Sequence, residues 1–371
     1  MRLQLKSAWR RLAAFAGALL AAWPARGAVL PEERADGMYH YYDGGGTTVD
    51  GPALLVRRNF AEKASVYASY YADHISGASI DVVTTASPYK EARQEYTLGA
   101  DYLYRNTTMG LSFTSSDERD YQANTFGLTI AHEIFDDLTT VSLGYSVGND
   151  TVGKTGTEFS EPLDRYQYQL GVSQIFTRTF VMSVNYEATL ESGYLNSPYR
   201  AARLQGLLVP EAYPRTRDSY AIAIRGVKGL LDENGRVYAS VKFGYRSFWD
   251  TWQIKADTIE LSYATRYWDR WTFEPHYRYY KQSAASFYSD NFQTPMTFMA
   301  RDKELSTFTS NTIGVKATYD LGQSGFVFRR SAVTIAADLL LFDYRDFTDV
   351  RNGEPYSFNA AVFQLYFSGW F

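Results

Sequence analysis

The stretch DTIELSYATRY, Asp257 to Tyr267, decides the fold, because its apolar and polar side chains alternate residue by residue. Ile259 and Leu261 fall on one face, whereas Glu260 and Arg266 fall on the other. A period of two is typical of a β-strand whose two faces meet different surroundings. The stretch therefore predicts a strand with one apolar and one polar face.

The same alternation recurs along the chain, in residues 180–191, 237–246 and 333–342. In the last of these segments, Leu340 and Phe342 interrupt the polar face. Aromatic residues make up 16% of the chain, led by Tyr 31 and Phe 23, and tyrosine favours strands and membrane interfaces. These features predict an all-β protein at a bilayer surface.

Residues 1–27 have the pattern of an export signal. Arg10 and Arg11 precede an apolar run that is too short to span a bilayer, and Ala25 and Gly27 suit a signal peptidase. The chain contains no cysteine, which excludes disulfides and thiolate metal sites. Its net charge of -4 is well mixed, so no basic face is available for nucleic acid.

The connections between strand segments differ in length. Short links at 135–138, 177–178, 232–235 and 269–270 alternate with long ones at 76–90, 149–162, 193–216 and 284–304. Short turns on one rim and long loops on the other are typical of outer-membrane barrels. We therefore predict an antiparallel up-and-down transmembrane β-barrel of about sixteen strands, with fourteen as the alternative. Residues 38–371 would form it, after a short periplasmic segment at 28–37.

Two features support a bilayer environment. Trp249 and Trp252 flank one connection and Trp268 and Trp271 flank the next, as two interfacial girdles would. The chain ends in FQLYFSGWF, which resembles the carboxy-terminal signal by which bacterial outer-membrane barrels are recognised for insertion. The residues expected to carry that signal are Phe363, Leu365, Phe367 and Phe371.

A family resemblance rests on three segments: YHYYDGGGTTVDGPALLVRRNF, YYADHISGASIDVVTTASPYKEARQEYTLGADYLY and SSDERDYQANTFGLTIAHEIF. Together they resemble the uncharacterised bacterial outer-membrane family called domain of unknown function 3570. The resemblance covers essentially the whole chain after residue 27. It implies a barrel and no particular activity.

The stretch GYSVGNDTVGKT, residues 144–155, matches both the G-x-S-x-G nucleophile elbow and the phosphate-binding loop. Each motif needs a strand followed by a helix, and no helical pattern follows either one. A hydrolase at the barrel rim that uses Ser146 and His132 is the weaker alternative. We predict that the protein is not an enzyme.

Charged residues cluster in two predicted outer loops. The candidates for a network there are Asp73, Asp81, Glu91, Arg93, Glu95, Asp117, Glu118, Arg119 and Asp120. Arginine–carboxylate pairs would lock the loops. Four of the carboxylates, Asp73, Asp81, Glu91 and Glu95, form a weaker candidate for a Ca²⁺ site, although their spacing matches no known calcium loop.

The polar faces of the strands supply the predicted lumen. Its charged residues are Asp101, Glu187, Glu191, Arg225, Lys242, Arg246, Glu260, Arg266, Glu274, His276, Arg278, Lys316 and Asp338. Lys242, Arg246, Arg266 and Arg278 would form a basic patch opposite Glu187 and Glu191. About sixteen strands leave room for an aqueous channel.

The leading hypothesis is a porin-like passive channel for small solutes in the outer membrane of a Gram-negative bacterium. A non-conducting barrel that scaffolds a partner is the alternative. The expected partners are outer-membrane lipid, lipopolysaccharide and the barrel-assembly machinery, with a homo-oligomer or a periplasmic protein as further alternatives. No cofactor is implied.

Overall fold

The computed structural model describes residues 29–77, 89–324 and 327–371, apart from the side chains of 77, 89–91 and 324. The predicted export signal at 1–27 lies outside the described residues. Among those residues, no helix is both long enough and apolar enough to cross a bilayer.

Sixteen antiparallel strands close into a barrel, which confirms the predicted fold class and the higher of the two strand counts. Consecutive strands of the barrel pair with each other, and the first strand pairs with the last to close the seam. The first nine barrel strands are β1 Arg34–Gly44, β2 Thr47–Phe60, β3 Ala64–Gly77, β4 Tyr89–Tyr104, β5 Thr107–Asp117, β6 Tyr121–Ile134, β7 Thr139–Gly153, β8 Ser160–Thr177 and β9 Phe180–Gly193.

The barrel continues after an excursion of the chain that forms a separate hairpin, β10 Ala201–Leu204 with β11 Leu207–Pro210. The remaining barrel strands are β12 Thr216–Leu231, β13 Val237–Asp250, β14 Lys255–Tyr267, β15 Trp271–Gln282, β16 Phe308–Ser324, β17 Phe328–Thr348 and β18 Pro355–Trp370. A short 3₁₀ helix, Lys303–Leu305, lies between β15 and β16.

Strand alternation separates an outward face from a lumen face. Large apolar side chains such as Leu98, Leu261 and Ile335 are exposed on the outward face, which suits contact with hydrocarbon. Phe363, Leu365 and Phe367 share that face on β18. Phe371 follows the strand, and its ring lies 4.2 Å from the Arg58 guanidinium.

Most short turns lie on the inner rim, which carries both chain ends, and the two longest loops lie on the outer rim at 194–215 and 283–307. The sorting is incomplete, since the outer rim also has short links at 45–46, 118–120 and 251–254.

The predicted loop at 149–162 is wrong, because β7 and β8 continue pairing up to Gly153 and Ser160. β1 also begins at Arg34, so residues 34–37 belong to the barrel.

The prediction of interfacial girdles is wrong for Trp252. Its side chain is buried rather than lipid-facing, and its indole N–H donates to the Thr216 carbonyl over 3.0 Å. Trp268, in contrast, is 76% exposed at an inner-rim turn, as an interfacial residue would be. Both residues lie beside a turn in the sequence, so only the folding of the outer loops distinguishes them.

Phe342 interrupts the polar face of β17 because the lumen contains an aromatic cluster. Leu340 lies on the same face, opposite Thr312 of β16. The buried members of the cluster are Phe308, Tyr344, Phe347 and Tyr356, and Phe342 packs against them. Phe342 stacks on Phe358 with ring centroids 4.6 Å apart. The cluster fills the outer end of the lumen along β16–β18, and the outer loop 283–307 lies beside it.

Candidate functional site

The lumen has two walls whose charges differ. On β1–β9 the register places nine described carboxylates and four arginines on the lumen face: Asp36, Asp73, Glu95, Asp101, Glu133, Asp150, Glu161, Glu187, Glu191, Arg34, Arg57, Arg93 and Arg165. We call this the acidic wall.

On β12–β18 the balance is reversed. Eight cations and five carboxylates lie on the lumen face: Arg217, Arg225, Lys242, Arg246, Arg266, Arg278, Lys316, Arg330, Asp250, Glu260, Glu274, Asp320 and Asp338. We call this the basic wall. The register thus places every lumen residue named from the sequence on the lumen face, including His276.

The basic wall is not the continuous cationic patch expected from the sequence. Lys242 bonds Glu274 over 2.7 Å, and Arg278 lies 3.3 Å from Glu260. Glu187, expected to face this patch, accepts a hydrogen bond from Gln167 on the neighbouring strand. Two of the four cations are therefore paired with carboxylates of the same wall, whereas Arg246 and Arg266 have no ion pair with a described residue.

Two histidine–aspartate pairs connect strands that are not neighbours. His276 of β15 bonds Asp338 of β17 over 2.6 Å, and both flank Gly314 of β16. A Cβ on Gly314 would overlap the Asp338 carboxylate and the His276 ring. The pair therefore depends on a glycine in the strand between its members.

The acidic wall repeats this arrangement. His40 of β1 bonds Asp73 of β3 over 2.8 Å across β2, where Gly51 is opposite His40. A Cβ on Gly51 would overlap the Ala72 carbonyl oxygen. The His40 ring also stacks on Tyr71, with centroids 5.0 Å apart. Both members of the His40–Asp73 pair are buried.

A belt of alternating charge runs across five neighbouring strands near the outer rim. Asp150, Arg165, Glu191, Arg217 and Asp250 follow one another on β7, β8, β9, β12 and β13. Arg165 lies 3.1 Å from Asp150, and Arg217 donates from Nε and Nη2 to Asp250 Oδ2 over 2.9 and 2.8 Å. Glu191 is paired across the strands with both arginines in the register.

The two long outer loops, 194–215 and 283–307, pack together as a lid. Ala212 and Met299 exchange backbone hydrogen bonds of 3.0 and 2.9 Å, and Gln205 N–H donates to the Phe292 carbonyl over 2.8 Å. A buried apolar cluster that includes Tyr213, Trp252 and further lid residues lies between the loops and the outer end of β13. The lid therefore has a core of its own.

Buried polar contacts anchor the lid. Arg301 donates to the Thr348 carbonyl over 2.8 Å, lies 2.8 Å from Asp290, and packs against the Phe347 ring. The Tyr288 hydroxyl donates to the Asp346 carbonyl over 2.9 Å, and burial raises the pKa of that hydroxyl. These contacts connect the lid to the end of β17.

Loop 194–215 is anchored on the opposite side. The Tyr199 hydroxyl donates to Asp120 over 2.5 Å, and Lys154 donates to the Pro198 carbonyl over 3.0 Å. Arg200 pairs with Asp302 of the other lid loop. The lid thus reaches from the turns beside β6 and β7 on the acidic wall to β17 on the basic wall.

A cavity of about 950 Å³ lies between the lid and the belt of charge. We call it the vestibule. Its lining combines belt residues Glu191 and Arg217 with lid residues and with Arg246, Phe248 and Tyr280 of the basic wall. Its size suits a small organic solute. Tyr280 donates to Gln282 over 2.6 Å.

The predicted outer-loop network is present only in part. Asp73 lies on β3, where it bonds His40 and is opposite Arg93 in the register, and Asp117 points to the outward face of β5, so neither lies in a loop. Arg93 does form part of a network, bonding Glu95 over 2.7 Å and approaching Glu118 to 3.5 Å. Arg119 is exposed at the vestibule, and Asp120 anchors the lid.

Within the described ranges, no group of three histidine, aspartate or glutamate side chains could hold a metal ion. Asp81 and the side chain of Glu91, two of the four proposed Ca²⁺ ligands, lie outside those ranges.

Ser146 and His132 do not meet. Ser146 faces the lumen on β7 and donates to Gln167 over 3.3 Å. His132 is on the outward face of β6 and bonds Thr107 over 2.8 Å. The barrel wall therefore separates the two residues of the proposed hydrolase site, and residues 144–153 form a continuous strand.

The sequence did not single out the belt arginines, the lid anchors other than Asp120, or Arg57, which pairs with Asp101. Tyr166 and Tyr168 on β8, and Tyr220 and Ile222 on β12, set the outward face of their strands. Extending that alternation to the strand ends would have placed Arg165 and Arg217 in the lumen. Arg301 gave no such signal, because it lies in an irregular loop.

The family model described as "Protein of unknown function (DUF3570)" matches residues 80–168 and 157–332. No curated protein matches the chain.

Among solved structures, a bacterial polysaccharide outer membrane secretin is similar at 8% identity and a TM-score of 0.50, covering 92% of this chain and 100% of that one. A Pseudomonas aeruginosa FadL homologue matches at 10% identity and a TM-score of 0.45, with 92% and 90% coverage. OprD from Pseudomonas aeruginosa matches at 9% identity and a TM-score of 0.42, with 93% and 95% coverage. At such low identity, likeness to the first of these shows a shared barrel fold.

Proposed function

Because the chain belongs to the DUF3570 family, whose description gives no activity, we propose a function from the barrel itself. The protein acts as a passive channel for small solutes in the outer membrane of a Gram-negative bacterium. Solutes enter under the lid, pass the vestibule and cross between the acidic and basic walls. No catalytic step is proposed.

The observation that carries this proposal is the pair of oppositely charged lumen walls. Charged side chains in a barrel interior need partners or water. On the basic wall, Arg225, Arg246 and Lys316 have no ion pair with any described residue, so water must reach them. A sixteen-stranded barrel is wide enough to contain that water, and water-filled barrels conduct ions and small solutes.

A non-conducting scaffold remains the second candidate, and the lid favours it. Backbone hydrogen bonds join the two lid loops at Ala212 and Met299, and Arg301 attaches them to β17. Paired charges such as Lys242 with Glu274 also leave fewer lumen charges available to a passing solute. A lid fixed in this position would leave a barrel whose main exposed feature is its outer surface.

Planar-bilayer recording of the purified full chain distinguishes the two candidates. A channel gives discrete openings whose conductance rises with salt concentration. A scaffold gives no openings over the same range of salt and voltage. An empty-detergent control and a heat-denatured sample of the same protein exclude contaminating porins as the source of current.

A further inference from the structure

We propose that the vestibule binds a carboxylate-bearing solute with an apolar ring, and that Arg246 is the residue that holds the carboxylate. This inference rests on the proposed channel function and adds the class of solute. It follows from Arg246, a half-buried arginine of the vestibule that has no ion pair with any described residue.

Arg246 differs from the two other half-buried arginines of the vestibule, and the remaining vestibule arginine, Arg119, is exposed. Arg217 gives two hydrogen bonds to Asp250, and Arg200 pairs with Asp302 of the lid. Within the described part of the chain, Arg246 has neither a hydrogen bond nor an ion pair. Its half-buried guanidinium therefore retains its donors for a ligand, and a guanidinium binds carboxylate in a two-pronged geometry.

The surroundings of Arg246 favour an anion. Arg246 and Tyr280 both lie opposite Thr258 in the register, and Arg278 precedes Tyr280 by two residues on the same lumen face. Glu304, which also lines the cavity, lies 3.4 Å from the Lys303 ammonium. The nearest carboxylate of the belt, Asp250, is already bonded by Arg217. Glu191 lies in register with two arginines. An incoming carboxylate thus meets a cation without displacing a carboxylate.

Aromatic side chains define the rest of the solute. The Arg246 guanidinium lies 5.4 Å from the centroid of Phe248, and Phe248 and Tyr280 both line the vestibule and are half-buried. Tyr213 and Leu195 line the same cavity from the lid and the β9 side. An apolar ring next to the carboxylate would contact these surfaces and bury its own apolar area.

The test uses the full chain, folded in detergent, with benzoate as the probe. Binding is followed by isothermal titration and by saturation-transfer NMR. We expect benzoate to bind to the wild-type protein. Arg246→Gln should raise the Kd for benzoate at least about tenfold, because a charged hydrogen bond is lost. Arg246→Lys should raise that Kd by a smaller factor. The control is Arg266→Gln, because Arg266 also faces the lumen, on the adjacent strand, but does not line the vestibule. That variant should leave Kd unchanged.

Uncharged benzamide and ring-free acetate test the two halves of the solute, and each should bind more weakly than benzoate. Equal Kd for benzoate in wild type and Arg246→Gln, equal binding of benzamide, or no binding at all would overturn the proposal. Heat-dependent gel migration confirms that each variant is folded. Bilayer recording on the same preparations separates the two hypotheses: openings without benzoate binding reject this inference alone, and binding without openings rejects the channel alone.

Discussion

The acidic and basic walls share one backbone architecture and differ only in the residues at lumen-facing positions. The acidic wall is rich in small residues, with lumen-facing glycines on β4–β8 at Gly99, Gly110, Gly127, Gly144, Gly148 and Gly171. The basic wall has longer side chains, including the arginines of the vestibule, and most lid contacts. A closed barrel thus fixes where side chains point, whereas the chemistry of each half depends on its own residues.

The two walls also use glycine in the same way. His40 and Asp73 meet across Gly51 on the acidic wall, and His276 and Asp338 meet across Gly314 on the basic wall. In both, a residue without a side chain allows contact between strands that are not neighbours. The walls differ in what surrounds the glycine: backbone at Gly51 and side chains at Gly314.

The largest expected effect follows from that difference. Gly51→Ala should lower the free energy of unfolding by about 3 kcal/mol, because its Cβ overlaps a backbone carbonyl that cannot turn aside. Gly314→Ala should cost about 1.5 kcal/mol, because the Asp338 carboxylate can rotate away, at the expense of its bond to His276. Urea unfolding in lipid vesicles measures both.

Gly226→Ala is the control for these variants, since its Cβ would have only ordinary contact with Phe180 at 3.6 Å. Its stability should equal that of wild type or slightly exceed it, because alanine reduces the freedom of the unfolded chain. Equal losses at Gly51 and Gly226 would show that glycine spacing has no role in the acidic wall.

The second prediction concerns charge. Arg225 and Lys316 of the basic wall have no ion pair within the described ranges. The double variant Arg225→Glu with Lys316→Glu reverses both charges and should shift the reversal potential toward cation selectivity. The permeability ratio should change severalfold, because both side chains face the lumen. Bilayer recording in a salt gradient gives the ratio.

Glu187→Gln on the acidic wall should shift selectivity in the opposite direction. Arg236→Glu, in an inner-rim turn, serves as the control outside the lumen. If that exposed variant changes selectivity as much as the double variant, the walls do not set the preference of the pore.

Much of this comparison was accessible from the sequence, and the reason is strand parity. Alternation placed Lys242, Glu274 and Arg278 correctly on the lumen face because it depends only on local geometry. It could not predict that Lys242 would bond Glu274, because that contact requires the register of three strands. For this reason the sequence did not predict which cations of the expected basic patch would be paired.

The lid was the least predictable region. Trp252 and Arg301 lie in or beside irregular outer loops, where no periodic pattern indicates burial. Their positions depend on contacts between loops 194–215 and 283–307, which are far apart in the chain. Loop lengths predicted long connections at 193–216 and 284–304, but not which side chains would form the core of the lid.

The third prediction tests whether the lid joins the two walls permanently. Ala212 and Met299 form an antiparallel hydrogen-bonded pair, for which Cα atoms lie about 5.5 Å apart, within reach of a disulfide. The chain has no cysteine, so Ala212→Cys with Met299→Cys introduces one defined cross-link. If the lid opens during conduction, oxidation should lower the conductance partially and reductant should restore it.

The single variant Ala212→Cys is the matched control and should not respond to oxidant. An identical conductance in the oxidised and reduced double variant would mean that solutes pass without separation of the two loops. The vestibule would then be part of a permanently open path, and the lid would only shape its mouth.

The smallest expected effect is at Ser146, on the acidic wall. Ser146→Ala should leave both conductance and any lipase or esterase activity of the preparation unchanged, because Ser146 bonds only Gln167 and His132 lies across the barrel wall. Nucleophilic catalysis by serine needs a base within hydrogen-bonding distance, and none of the described histidines is on the neighbouring lumen positions of β6 or β8. Activity in wild type that disappears in Ser146→Ala would show that a base reaches this serine from the lumen, and the acidic wall would then be a reactive surface rather than a passive one.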